Sequence, residues 1–240
     1  MNAEEKRILE AVTRRRHLTP AWFFGYEHPA HVYSVQERHR EVMGLLSRSD
    51  YRPLTDVRIL DVGCGDGNML RQFLEWGAAP ANLAGIDLQA DAVDRARQLS
   101  PGVDVRCGSA AYLPWPTGYF DLVCQFTVFS SILDVDTRRR IASEMDRVLR
   151  PGKAIVWYDL AYDNPRNPDV RGVKPRHIRG LFPDYELRLR PITLAPPLAR
   201  RLPVGLLPVV YPLLSAIPLL CSHLLGLLIK PGPAVEADRQ

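Results

Sequence analysis

The chain has 240 residues, of which 46% are hydrophobic and 24% are charged, a composition that predicts one globular domain with appendages and excludes collagen-like, disordered and wholly membrane-embedded proteins. The net charge is only +4, from 31 basic and 27 acidic residues, which excludes a dedicated nucleic-acid binder. The four cysteines form no CxxC pair, so the sequence predicts buried thiols in a reducing cytosol and no metal site.

Two N-terminal segments, residues 3–16 and 35–48, have the apolar spacing of helices. Between them lies an aromatic and histidine-rich stretch, PAWFFGYEHPAHVYS. Residues 1–52 are predicted to form a helical lid. The first residues contain no apolar segment of the kind that signal peptides have, which predicts a cytoplasmic protein.

From residue 53 onward, strand and helix patterns alternate. VRILDV, NLAGID, VDVRCG, YFDLVCQF and KAIVWYDL have strand composition, and helical segments separate most of them. This alternation predicts right-handed βαβ units on a parallel sheet that helices cover on both faces. Ligands of such sheets bind at the carboxyl ends of the strands, so functional residues are expected at that edge of the segment 53–160.

The first strand runs into RILDVGCGDGN, where Gly63, Gly65 and Gly67 stand at every second position. Glycine suits a turn whose backbone must approach a ligand closely, because a Cβ atom would be in the way. The dinucleotide fingerprint GxGxxG would need its last glycine at Asn68, so the pattern disfavours a dinucleotide site.

The DxGxGxG pattern, with several segments in register behind it, resembles the class I S-adenosylmethionine-dependent methyltransferases. AGIDL, GSAAYLPWPTGYFDLV and RVLRPGKAIVWYDL match the family's motifs around the second to fifth strands, so the resemblance covers residues 56–160. It implies a Rossmann-like α/β fold with a seven-stranded mixed sheet of order 3-2-1-4-5-7-6, strand 7 antiparallel and helices on both faces. It also implies S-adenosyl-L-methionine as the cofactor, bound by residues 53–160.

The same resemblance assigns the cofactor-binding residues. Asp87 would accept hydrogen bonds from both ribose hydroxyls, since a carboxylate can take two. Ser109 stands where the family commonly has an aspartate that accepts from the adenine amino group, which predicts a weaker hold on the cofactor. Asp61 is expected near the amino group of the cofactor, with Gln125 beside it. The complete predicted set is Asp61, Gly63, Gly65, Gly67, Asp87, Leu88, Ser109, Ala110 and Gln125.

Methyl transfer from an activated methyl group needs an acceptor held in line and water excluded, and it needs a base only where the acceptor must lose a proton. Asp159, directly after the fifth strand, and His31, in the N-terminal lid, are the leading candidates for a base. His223 would reach the site only if the segment before it folds back. Predicted substrate contacts are Tyr26, Tyr33, Tyr158, Asn164 and Arg166.

The segment 161–230 is the predicted substrate-side region, and 231–240 a frayed tail. The substrate-side region contains an apolar insert, residues 203–220, which includes several prolines. A final strand, SHLLGLLIKP, follows the insert. Four roles stay open for the insert: a wall over the substrate pocket, a homodimer contact, a shallow membrane anchor at the inner membrane face with Arg200 and Arg201 at the headgroups, or a true membrane span, against which its prolines argue.

The full pattern, including FTVFSSILD and NPRNPDVRG, is similar to bacterial methyltransferases of glycan or secondary-metabolite assembly. The sequence therefore predicts O-methylation of a sugar or small hydroxylated metabolite, including lipid-linked ones. C- or N-methylation of a quinone, lipid or polyketide-like product is the alternative. A cofactor-binding module that does not methylate is a third interpretation. The arginine runs at 14–16 and 138–140 are interpreted as solvated helix faces, and no nucleic-acid partner is predicted.

Overall fold

A computed structural model describes residues 1–18, 27–165 and 167–233. Seven strands form one sheet in the order β3-β2-β1-β4-β5-β7-β6. Strands β1 to β5 are parallel, and β7 is antiparallel to both of its neighbours. This confirms the predicted fold class and strand order. The strands are β1 Ile59–Val62, β2 Leu83–Asp87, β3 Asp104–Cys107, β4 Phe120–Phe126, β5 Leu149–Leu160, β6 Glu186–Leu194 and β7 Cys221–Ile229.

Helices and two apolar clusters cover the sheet. Leu60 and Val62 of β1 belong to the first cluster, and Ile59 belongs to the second. The residues alternate because successive side chains of a strand point to opposite faces of the sheet. The helices are α1 Ala3–Leu18, α2 Pro29–Ser47, α3 Asn68–Glu75, α4 Ala90–Leu99, α5 Val135–Val148, α6 Pro175–Leu181, α7 Pro196–Ala199 and α8 Leu207–Ser215. Helix α5 packs in the first cluster, and α3 and α4 pack in the second.

Several elements differ from the sequence-based expectation. Helix α2 begins at Pro29, six residues before the predicted start, because a proline fits the first turn of a helix, where no backbone N–H is needed. The short helix α6 was not predicted. The apolar insert, for which no secondary structure was predicted, folds as short turns and α8, since its prolines interrupt the backbone ladder.

Two smaller predictions are wrong in part. Cys107 is exposed, whereas Cys64, Cys124 and Cys221 are buried as expected. Arg138 does not belong to a solvated face, because it is 8% exposed and its Nε donates to the Ile132 carbonyl at 2.6 Å. The arginine lies on the side of α5 that packs toward the sheet, where a charge is tolerated only with such a partner.

Candidate functional site

A cavity of about 230 Å³ lies at the carboxyl ends of β1, β2 and β4. Its wall includes six of the nine predicted cofactor-binding residues, which are Gly63, Gly65, Asp87, Leu88, Ser109 and Ala110. Gly67, Asp61 and Gln125 do not line it. The carboxyl edge of the parallel strands, where ligands of such sheets bind, therefore carries this cavity.

The turn between β1 and α3 has a conformation that requires glycine. Gly63, Gly65 and Gly67 have φ values of +72°, +53° and +78°, the left-handed region that residues with a Cβ rarely adopt. A Cβ on Gly63 would lie 2.4 Å from Cγ2 of Val128. The Gly63 amide also donates to the Ile86 carbonyl at 2.8 Å, which ties the turn to the end of β2. The turn thus presents bare backbone to the cavity.

Asp87, at the end of β2, organises the floor of the cavity. Its two carboxylate oxygens accept from the backbone amides of Gly65 and Gln89, each at 2.9 Å. Burial raises the pKa of this carboxyl, and the two amide hydrogen bonds oppose that rise. Each carboxylate oxygen can accept a second hydrogen bond, so Asp87 can bind a diol while it holds the glycine turn.

Asp61 and Gln125 lie on the paired strands β1 and β4, next to the turn. The Oδ1 of Asp61 is buried without a hydrogen-bond partner among the described residues, and so is the Nε2 of Gln125. Burial and then the charge of Asp87 raise the pKa of Asp61 to about 8. Asp61 thus has an unused acceptor and Gln125 an unused donor. Together they complement the positive and the negative group of a zwitterion held at the glycine turn.

Helix α1 forms a wall of the cavity that sequence reasoning did not assign. Glu5, Ile8, Val12 and Arg15 all face it. The Glu5 side chain is 5% exposed, and its Oε1 accepts from the Ser109 hydroxyl at 2.5 Å. Burial raises the pKa of Glu5, but hydrogen bonds from Ser109 and the Asn2 amide outweigh this and lower it overall. Glu5 therefore places an ionised carboxylate beside Ser109, whose own side chain is a neutral hydroxyl.

Polar contacts hold α1 over the cavity. Glu4 accepts from the Leu133 amide at 2.5 Å, and Arg7 donates to the Ser131 carbonyl at 2.6 Å. Arg14 pairs with Asp169 at 2.7 Å. These contacts reach the loops that follow β4 and β5, so the helix bridges the carboxyl edge of the sheet. The i, i+4 spacing of Ile8 and Val12 is the signal that could have placed this face.

A second group of side chains lies at the ends of β4 and β5. The aromatic cluster, which we define as Phe126, Tyr158 and His223, has the His223 ring stacked on Tyr158 with 4.7 Å between ring centroids and 4° between planes. Arg38 of α2 lies over this cluster. Phe126 also lines the cavity, so the cluster adjoins it. His223 reaches this place because β7 pairs with β5, with Leu160 opposite His223.

The two predicted bases lie elsewhere. Asp159 is fully buried and accepts from the amides of Phe129, Ser130 and Leu160. Burial raises its pKa to about 6, and these hydrogen bonds oppose the rise. His31 is on α2, and burial lowers its pKa, as do the nearby positive charges beginning with Arg38. Neither residue contributes to the cavity wall, so a role as base stays a prediction for both.

The predicted substrate contacts are dispersed. Tyr158 belongs to the aromatic cluster, whereas Tyr33 packs against Tyr211 of the insert at 5.6 Å between ring centroids. Asn164 lies in the loop after β5. Tyr26 and Arg166 lie outside the described residues. None of the described substrate candidates, Tyr33, Tyr158 and Asn164, therefore lies in the cavity wall.

Residues 59–152 match a family model described as a methyltransferase domain. A protein of Mycolicibacterium smegmatis named "Probable S-adenosylmethionine-dependent methyltransferase" is 30% identical over 117 residues, which cover 46% of this chain and 43% of that protein. A ubiquinone biosynthesis O-methyltransferase of Parvibaculum lavamentivorans is 30% identical over 126 residues, 52% of this chain and 48% of the relative. The aligned regions thus span less than half of each of these curated relatives.

Among solved structures, a SAM-dependent methyltransferase from Thermotoga maritima has a TM-score of 0.62. It covers 92% of this chain and 99% of its own at 15% identity. At that identity the likeness shows the fold alone. It therefore extends into both terminal regions, which lie outside the family-model match at residues 59–152.

Proposed function

The core of this chain, residues 59–152, is a methyltransferase domain of the class I S-adenosylmethionine-dependent family, and on that premise we propose that the protein transfers the methyl group of S-adenosylmethionine to a small-molecule acceptor. The observation that carries the proposal is the cavity wall, in which the glycine turn and the Asp87 carboxylate meet. When bound, S-adenosylmethionine supplies an activated methyl group.

The residues present fit that cofactor. The turn at Gly63 and Gly65 excludes Cβ atoms where a methionyl group must approach the backbone. Asp87 has free acceptor capacity for the ribose hydroxyls. The unused acceptor of Asp61 and the unused donor of Gln125 suit an ammonium and a carboxylate. The apolar side chains of Ile8, Val12 and Ile132 line the cavity and suit contact with a purine.

The acceptor that we favour is a hydroxyl group, so the reaction is an O-methylation. The protein's own contribution is to hold that oxygen in line with the methyl group and to exclude water, for which orientation supplies on the order of 7 to 11 kcal/mol. The name of the Parvibaculum relative, an O-methyltransferase of ubiquinone biosynthesis, supports a hydroxylated acceptor with a lipid-like part. C- or N-methylation of such a compound is the alternative.

The test is a transfer assay with S-adenosylmethionine that carries a labelled methyl group. The purified protein would be incubated with organic and aqueous extracts, and the label would be followed into new products together with S-adenosylhomocysteine. We expect labelled product that resists mild base, as an ether does. Tight binding of S-adenosylhomocysteine with no transfer to any fraction would instead favour a binding module that does not methylate.

Glu5 is expected to accept a hydrogen bond from the 6-amino group of adenine. It would take the role of the aspartate that the family commonly has at the position of Ser109. Glu5→Gln should weaken S-adenosylhomocysteine binding by about tenfold, because a charge-assisted hydrogen bond is lost. The same change should barely affect S-inosylhomocysteine, whose 6-oxo group donates nothing to a carboxylate. Calorimetric titration with both nucleosides measures this discrimination.

Glu10→Gln is the matched control, since that residue is an exposed glutamate of the same helix. If Glu5→Gln and the wild-type protein discriminate equally between the two nucleosides, Glu5 does not contact the purine. If both nucleosides weaken equally, the residue supports only the docking of α1.

The apolar insert is proposed as a contact with an anionic lipid surface. Six of its side chains are between 44% and 87% exposed: Val204, Leu206, Val209, Leu213, Ile217 and Leu219. No acidic residue occurs from 187 to 235, whereas the exposed Arg200 and Arg201 flank the insert. Exposed apolar side chains beside cations complement the interface of an anionic bilayer. Leu207 and Tyr211 anchor the opposite face of α8 in the protein.

Among the described residues, no helix is long and apolar enough to cross a membrane, so the contact proposed is a shallow one. The insert itself packs on α2, where the Tyr211 hydroxyl donates to the Glu37 carboxylate at 3.0 Å. The homodimer alternative would use the same exposed side chains.

Flotation with liposomes tests the lipid contact. We expect the protein to float with phosphatidylglycerol vesicles. The variant Val209→Ser/Leu213→Ser should bind at least about tenfold less, because each buried apolar side chain contributes about 1.5 to 3 kcal/mol. Leu99→Ser/Val135→Ser is the control, since both side chains are similarly exposed elsewhere. Protein that stays at the bottom with anionic vesicles would refute the contact, and a dimer in sedimentation that the insert variant abolishes would support the alternative.

A further inference from the structure

The guanidinium of Arg38 is a half-buried cation without an acidic partner among the residues that the structure describes. Its Cζ lies 5.4 Å from the ring centroid of Tyr158 and 5.8 Å from that of Phe126. Its Nε is buried and has no hydrogen-bond partner in the described part of the chain. A guanidinium that has left bulk water usually pairs with an anion, so this one has unused capacity to bind one.

Arg38 does not line the cavity itself, but its guanidinium lies over Phe126, which does. Asp87, at the end of β2, and Ser109, after β3, are on one side of the glycine turn and face the nucleoside part of the cavity. The reacting end must then lie toward β4 and β5, on the other side of β1. Phe126 ends β4, lines the cavity and supports the guanidinium. The aromatic cluster therefore adjoins the reacting end.

The other titratable groups near Arg38 carry little positive charge at neutral pH. Burial, and then the charge of Arg38, lowers the pKa of His223 to about 3. Burial raises the pKa of Tyr158, and it lowers those of His31 and His39 on α2. Asp61, on β1, is an acidic group that feels the charge of Arg38: burial and then Asp87 raise its pKa to about 8, and Arg38 opposes that rise. Arg38 is thus the cation of this group.

The shape and charge of this group select a class of ligand. The ring of Phe126 gives the cavity a flat apolar surface, and the stacked pair of Tyr158 and His223 packs beside that ring. One guanidinium balances one negative charge. A phosphate dianion would need more donors and more positive charge than these residues supply. A flat ring with one ionised oxygen matches both features.

We propose that Arg38 and the aromatic cluster bind the acceptor as a planar phenolic or enolic ring, through a hydroxyl oxygen that is ionised when bound. This inference rests on the proposed function and names its substrate class. The acceptor proton passes to solvent as the guanidinium stabilises the oxyanion. A lone pair of that oxygen then forms the new O–CH₃ bond, while the S–CH₃ bond breaks and its electron pair stays on sulfur. Such a site needs no general base, in keeping with the burial of Asp159.

The test uses 4-nitrophenol, whose ionisation is visible in its absorption spectrum, together with saturating S-adenosylhomocysteine. In the wild-type protein, the ionisation constant of the bound phenol should rise at least about tenfold, which is a fall of one pKa unit. Arg38→Met and Arg38→Gln should abolish this shift, and Arg38→Lys should keep part of it because the charge remains. Arg40→Met, an exposed arginine of the same helix, should keep all of it.

Calorimetry with S-adenosylhomocysteine on each variant separates the possible failures. Equal affinity in the wild-type protein and in the Arg38 variants shows that the variants fold and that the cofactor site is independent of Arg38. If the nucleoside binds but 4-nitrophenol is not bound as its anion, or if the shift persists in Arg38→Met and Arg38→Gln, the acceptor assignment is wrong. If the wild-type protein does not bind the nucleoside, the proposed function itself fails.

Discussion

Asp87→Ala is expected to lower the affinity for S-adenosylhomocysteine by at least about 100-fold. Two hydrogen bonds from the ribose hydroxyls to a carboxylate would be lost, and each such bond contributes about 1.5 to 3 kcal/mol. Because 1.4 kcal/mol corresponds to a factor of ten, both losses together reach that magnitude. The substitution also releases the Gly65 and Gln89 amides, which Asp87 holds at 2.9 Å, so the glycine turn loses an anchor.

Calorimetric titration checks this result, and circular dichroism shows whether the variant is folded. Asp94→Ala is the matched control, because Asp94 is an exposed aspartate of α4 whose partner is Arg97 on the same helix. The control should bind like the wild-type protein. A folded Asp87→Ala variant with unchanged affinity would show that the carboxylate does not bind the ribose.

Gly63→Ala is expected to impair both the stability and the binding of the nucleoside. The new Cβ would lie 2.4 Å from Cγ2 of Val128, in a residue with φ of +72°. The left-handed conformation costs about 1 to 2 kcal/mol, and overpacking adds about 1 to 3 kcal/mol, so the free energy of unfolding should fall by about 2 to 5 kcal/mol. The affinity for S-adenosylhomocysteine should fall at least about tenfold, since the turn must shift away from its position in the cavity wall.

Gly44→Ala provides the comparison for this change. Gly44 lies inside α2, and a Cβ added there would have no neighbouring atom within 4 Å, so alanine should stabilise the protein by about 0.5 to 1 kcal/mol. Urea unfolding measures both variants, and titration measures their affinities. Wild-type stability and affinity in Gly63→Ala would mean that the turn is more adaptable than its dihedral angles imply.

The local features of the fold could be predicted from the sequence, because each depends on residues close in the chain. The strand before Gly63 and the helix after Gly67 follow from apolar runs and from glycine at left-handed positions. The order of strands β6 and β7 came from the family resemblance instead. Hydrophobic periodicity cannot decide which neighbours a strand pairs with, since pairing is a long-range contact.

The parts of the site that the sequence could not reveal depend on packing between distant segments. Glu5 meets Ser109 only because α1 docks across the sheet edge. Nothing in the sequence around Arg38 indicates that it would lie over Tyr158 and Phe126. Conversely, Asp159 lies next to the last residue of β5 at the ligand edge, as a catalytic residue would, yet its carboxylate accepts from backbone amides. Position along the chain indicates the edge of the sheet, but not the direction of a side chain.

We propose above all that the glycine turn and Asp87 hold a sulfur-containing nucleoside. Isothermal titration of the wild-type protein with S-adenosylhomocysteine, and separately with NADH, tests it most directly. We expect a saturable heat with one equivalent of S-adenosylhomocysteine and none with NADH. No heat with S-adenosylhomocysteine, together with a saturable heat with NADH, would contradict the claim.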